Sequence, residues 1–242
     1  MLEITLADNI LLTVLSFFTA LMTSIAGAGG GTVLLAAMLQ FMNPAEAIPV
    51  HGVIQLSSNL TRIWLLRKFV IWNIVLKFSL LLPLGVYLGL KIFQSIDANE
   101  IKNLIGFFIL LALGLQNLKT FKNIKMPINI YYLIGLVTGF LNILVGVIAP
   151  LLAVLLRQSV SEKKSIVGTL GYFGLIGNLF KIIGFTFIGF SFFKYLDSFI
   201  MIIPATMIGS KIGQTLLNKI SNKIFTIIFQ IILVGLAIKL LT

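Results

Sequence analysis

The apolar residues of this chain fall into long runs parted by short polar interruptions, and the run lengths set the first expectations. A helix needs about 18 to 20 apolar residues to cross the hydrocarbon core of a bilayer. Runs near that length are read at 9–26, from the turn at 43–46 up to 66, 72–92, 100–118, 128–145, up to 187, 195–213 and up to 241. Two pieces are shorter: 32–42, and the run that follows Gly146-Val-Ile-Ala-Pro150 and ends at Leu156. Eleven helical residues rise about 16 Å, half of a core about 30 Å thick. The short pieces therefore read as half-helices. Pro83 lies inside its run and predicts a kink there.

What separates the first long run from the first half-helix is Ser24-Ile-Ala-Gly-Ala-Gly-Gly-Gly-Thr32, with four glycines in five positions. Each glycine costs up to about 1 kcal/mol in a helix interior relative to alanine. Four together break the helix at membrane depth, where irregular backbone is tolerated only against protein or a water-filled cavity.

Composition agrees with a membrane reading and narrows it. Of 242 residues, 59% are apolar and 10% charged, against roughly 25% charged in soluble domains. This excludes a separate soluble domain. The net charge of +11 comes from Lys and Arg scattered in small clusters between apolar runs. That placement marks topology signals rather than a nucleic-acid surface. Without cysteine, and with His51 as the lone histidine, thiol chemistry, disulfides and metal centres are not expected. No cofactor is implied. The first eight residues hold two acids and no base, unlike a cleaved signal peptide, so the first run is expected to remain in the membrane.

The chain also repeats itself. At an offset of 119 residues, Gly27 falls on Gly146, Thr19 on Thr138, and Asn59-Leu-Thr-Arg-Ile63 on Asn178-Leu-Phe-Lys-Ile182. At 120, Leu88-Gly-Leu-Lys-Ile92 lies on Ile208-Gly-Ser-Lys-Ile212, and at 121 Pro83 meets Pro204. Residues 1–120 and 121–242 thus read as two transmembrane repeats of one integral unit. Placing the basic clusters at 62–68, 119–125, 157–164 and 219–223 on the cytoplasmic side gives each repeat one helix/half-helix hairpin plus three crossings. An odd number of crossings inverts the second repeat, the common plan of secondary transporters. The predicted fold is all-α and polytopic, with two inverted repeats; eight full crossings would make them parallel instead.

Candidate chemistry gathers at the breaks. A half-helix starting after Gly27, Gly29, Gly30 and Gly31 offers unpaired amides and a favourable dipole to an anion. Gly146 marks the weaker second copy, with Pro150 suited to a helix start. Asn59 and Arg62 share a helix face, as do Asn178 and Lys181. Lys181 lies well inside its run, where a cation is expensive and by default functional. Arg62, nearer its helix end, reads equally as a topology residue. His51 is a candidate for proton coupling, or a structural histidine. Gln55, Ser57, Ser58 and Asn142 could add hydrogen bonds. Every carboxylate falls near a run end, which argues against a buried-acid pump, and no nucleophile–base set suggests an enzyme.

The Gly27-Ala-Gly-Gly-Gly31 turn, the region 44–49 with its two prolines, Pro83-Leu-Gly-Val-Tyr-Leu-Gly-Leu-Lys91 and Gly135-Leu-Val-Thr-Gly-Phe-Leu141 leading to Gly146 together resemble the sulfite exporter TauE/SafE family, over essentially the whole chain. The resemblance implies export of sulfite, a sulfonate or a related sulfur oxyanion across the cytoplasmic (inner) membrane. Family members commonly carry a glycine-rich turn in both halves, from which Gly146–Pro150 departs. The expected partners are a small inorganic or organosulfur anion and the lipid bilayer, with a homodimer left open as the assembly. An anion channel, or a membrane subunit of a larger transport complex, is the alternative reading.

Overall fold

The computed structural model describes residues 5–117, 127–217 and 222–241, without the side chains of 26, 116, 117 and 222–229. The described residues form ten α-helices and no strand. They are α1 (Leu6–Ala26), α2 (Gly30–Met38), α3 (Pro44–Leu66), α4 (Trp72–Phe93), α5 (Ala98–Asn117), α6 (Ile130–Leu144), α7 (Ala149–Leu156), α8 (Lys163–Phe187), α9 (Leu196–Leu216) and α10 (Asn222–Leu241). Five segments are long and apolar enough to cross a membrane. Leucines at positions 76, 80 and 84, together with Phe187 and Ile200, keep apolar faces exposed, as a lipid-facing surface does. The chain is an all-α polytopic membrane protein.

The helix ends follow local chemistry. Thr5 and Asp8 form a reciprocal capping box at the start of α1, and Asn43 caps α3 ahead of Pro44. Glu46, Glu100 and Asp197 occupy first turns, where they complement the helix dipole. Helix α4 runs unbroken through Pro83, as α9 does through Pro204 and α3 through Pro49. The half-helices are real: α2 has nine residues and α7 eight. The basic stretch 119–125 lies outside the described residues, as does Lys219; Lys223 is described by its backbone alone.

Packing between the halves is reciprocal. Helix α4 lies along α6, and α9 along α1; α3 lies on α8, and α5 on α10. Small residues permit these contacts, as in membrane helix pairs generally. A Cβ on Gly135 or Gly139 of α6 would strike the Phe78 or Leu82 carbonyl of α4, and one on Gly85 the Leu136 carbonyl of α6. On the other side, Gly209 and Gly213 of α9 meet the Phe17 and Leu21 carbonyls of α1. Leu136 and Phe140 correspond to Phe17 and Leu21 at the 119 offset, so Gly85 and Gly89 correspond in space to Gly209 and Gly213. That corrects the register: between α4 and α9 the offset is 124 residues (Gly85 to Gly209), not 120 or 121, and Pro83 does not match Pro204. The extra residues are taken up where α8 runs to Phe187, further past its cation than α3 does, and by the turn at Gly189, with φ +91°.

Direction follows from the same contacts. Along α3 and α8, Leu66 meets Gly168, Asn59 meets Gly174 and Gly52 meets Lys181. Rising numbers on one helix meet falling numbers on the other, so these two corresponding helices are antiparallel.

Candidate functional site

The breaks that interrupt each half meet at the centre. Helix α1 ends on Gly27, with φ +87°, and Gly29 follows at φ +109° before α2 begins. Helix α6 ends in the same manner at Gly146, with φ +75°. These are left-handed conformations in which a Cβ is strained, so glycine is required at all three. Gly27 faces Val167 of α8 and Gly146 faces Ile48 of α3, again residues 119 apart.

Between the breaks lies a cavity of about 60 Å³, room for several waters or one small oxyanion on a scale of about 10–15 Å³ per water. Its wall takes Gly27, Gly29, Gly31, His51, Asn59 and Arg62 from the first half, and Gly146, Asn142 and Asn178 from the second. Among the described residues no carboxylate lines it.

Four candidates stand elsewhere: Gly30, Lys181, Ser58 and Ser57, whose hydroxyl donates to the Ile54 carbonyl on its own helix. Gly30 packs against the Thr19 carbonyl and Thr23 of α1; it is the glycine that lets α2 lean on α1. Lys181 is fully buried and does not line the cavity. Its Nζ donates to the Gly146 carbonyl at 2.7 Å. Arg62 does the corresponding thing in the other half, Nη1 donating to the Gly27 carbonyl at 3.3 Å while Nη2 donates to Asn59 Oδ1. Each cation thus satisfies a carbonyl freed where a helix stops. Each also rests on a glycine from the opposite half: Lys181 on Gly52, Arg62 on Gly171.

The half-helix amides are fewer than the glycine count suggests. Thr32 N turns back to the Gly29 carbonyl at 2.8 Å, leaving the Gly30 and Gly31 amides at the start of α2, of which only Gly31 lines the cavity. Gln55 lies against Gly31. Asn142 Nδ2 donates to the Gly177 carbonyl at 3.1 Å, and Asn178 Nδ2 to that of Gly174 at 2.7 Å, so both asparagines partly brace α8. Ser58 pairs with Ser210 at 2.8 Å rather than reaching the cavity.

Three residues of the wall each carry a buried polar atom with no hydrogen-bond partner: His51 Nδ1, Arg62 Nε and Thr32 Oγ1. Buried polar groups are normally paired, so their clustering around one cavity marks a place for a polar ligand. Thr23, Thr32, Thr138 and Phe173 line the cavity too and were not among the sequence candidates. Thr23 and Asn142 are 119 residues apart, a signal that the identity matches alone did not carry.

Fold and site together define a polytopic helical membrane protein with a cation-bearing polar cavity between two broken helices. The family described as Sulfite exporter TauE/SafE matches residues 12–240, nearly the whole chain, and the protein belongs to that family of membrane transporters for sulfite and related sulfur anions. No curated protein and no solved structure matches the chain.

Proposed function

We propose that the chain is a secondary transporter that exports a small sulfur oxyanion, sulfite or a sulfonate, across the cytoplasmic membrane by alternating access, with no chemical step. One observation carries the reading. The central cavity is lined by Arg62, whose Nε–H has no partner, by Gly31 in the first turn of the half-helix and, among the described residues, by no carboxylate, a set that suits an anion and repels a cation. The antiparallel crossing of α3 and α8 supports two repeats, 1–120 and 121–242, of opposite orientation. Such repeats rock about a midplane site in secondary transporters.

Proteoliposomes test it. Sulfite, thiosulfate, a sulfonate and sulfate are offered in turn, and flux is followed with and without anion on the far side. Saturable flux stimulated by trans anion is expected for at least one. Unsaturable conductance would replace the carrier by a channel, and no flux with any of the four would remove the anion reading.

A further inference from the structure

The His51 ring fixes its own tautomer. Nε2 lies 2.8 Å from the Gly31 carbonyl oxygen, which can only accept, so Nε2 carries a proton and donates it. In the neutral ring Nδ1 is then a bare acceptor. His51 is 2% exposed, lines the cavity, and its Nδ1 has no partner. An acceptor left dry in this way is costly unless a ligand supplies a donor.

The rest of the wall asks for the opposite. Arg62 Nε–H and the Gly31 amide are donors, suited to the negative oxygens of an anion. A ligand that satisfies both sets presents acceptor oxygens in one direction and an O–H in another. A fully deprotonated oxyanion has no such hydrogen. Resting on the anion-site reading above, we propose that the cavity selects a monoprotonated oxyanion, hydrogen sulfite in its O–H form being the sulfur species that fits, with His51 Nδ1 accepting the substrate's own proton. The proton crosses with the anion as part of it; no bond to sulfur is made or broken.

The charged surroundings of His51 are compatible with this. Lys181 on α8 is close enough to interact with it electrostatically, Arg62 lies further along α3, and α2 contributes the Gly31 carbonyl. With Lys181 beside it and, among the described residues, no carboxylate at the wall, a neutral acceptor is the role left to the ring. Sulfite keeps a proton near neutral pH, whereas sulfate and sulfonates do not. Methanesulfonate therefore offers the same three oxygens on sulfur without a donor. A site built to bond a substrate hydroxyl rejects the analogue lacking it far more strongly than a site relying on shape alone.

Binding of sulfite and of methanesulfonate to the full-length protein in nanodiscs is measured by calorimetry between pH 6 and 8.5. Expected for the wild type are a preference for sulfite of at least about tenfold and a sulfite affinity falling towards tenfold per pH unit once hydrogen sulfite becomes the minor species. Methanesulfonate binding stays weak and flat with pH. His51→Phe equalises the two anions and removes the pH slope, while His51→Gln, which keeps an acceptor oxygen, retains part of the preference. Methanesulfonate bound as tightly as sulfite by the wild type, or bound more tightly as pH falls, overturns the proposal and leaves the anion site standing; the second result would mean that His51 itself takes the proton. Failure of both anions to bind overturns the anion site and this inference together.

Discussion

The Lys181 ammonium reaches the carbonyl of Gly146, 35 residues earlier, at 2.7 Å. Arg62 reaches Gly27 across the same interval at 3.3 Å. Two cations that resemble substrate ligands by their position in the chain are therefore also the groups that hold each helix break together. They differ in one respect: Arg62 reaches the cavity wall and Lys181 does not.

That difference separates their variants. Lys181→Met keeps most of the buried stem but leaves the Gly146 carbonyl unsatisfied. We expect a stability loss of about 1–3 kcal/mol, read as a lower midpoint of thermal unfolding in detergent, with little change in anion affinity of the protein that remains folded. A large affinity loss at unchanged stability would put Lys181 among the ligands.

Arg62→Gln removes a charged donor from the wall. A hydrogen bond to a charged group is worth about 1.5–3 kcal/mol, so sulfite affinity should fall by roughly 10- to 150-fold. Concentration dependence of flux in liposomes is the measurement, and unchanged half-saturation would remove Arg62 from the site.

Gly146→Ala meets two obstacles. The residue is left-handed at φ +75°, which costs about 1–2 kcal/mol for an alanine, and the new Cβ would sit 2.5 Å from Leu35 Cδ2. Transport should be lost or strongly reduced. Gly114→Ala on α5 is the control: among the described residues nothing lies within 4 Å of its Cβ, and helix propensity favours the alanine by up to about 1 kcal/mol. The unfolding midpoint should fall for Gly146→Ala and hold or rise for Gly114→Ala, while flux should be lost only in the first.

Ser58 on α3 and Ser210 on α9 stand 2.8 Å apart through their hydroxyls, and the chain has no cysteine. Ser58→Cys with Ser210→Cys should form a disulfide on mild oxidation, since the two side-chain ends are already in hydrogen-bond contact. If passage of the anion requires α3 and α9 to part, flux stops on oxidation and returns with reductant. Full flux through the cross-linked protein would show that these helices move as one body.

Much of the fold was legible because run length, glycine and proline act locally. The Gly27–Gly31 break needs no tertiary information: four glycines cannot sustain a helix, and α2 begins within them. The half-helices and the 119-residue register followed from the same local signals. Illegible was whatever depends on which helix lies opposite. Pro83 and Pro204 look equivalent along the chain, yet the equivalence in space is set by Gly85 and Gly209 meeting carbonyls of α6 and α1. Likewise, Lys181 has the position expected of a ligand, but only the fold shows that Gly146 takes its donor. Thr32 and Phe173 are unremarkable in a sequence this apolar until the cavity puts them on one wall.

The reciprocal packing bears on ancestry. Each half sends its fourth helix to lie along the first helix of the other, α4 on α6 and α9 on α1. A single half would leave those glycine-lined surfaces uncovered, with nothing of its own to close them. If the chain arose by duplication, its one-half predecessor was an obligate pair of identical subunits. Fusion then changed the concentration at which the pair assembles rather than the architecture it assembles into.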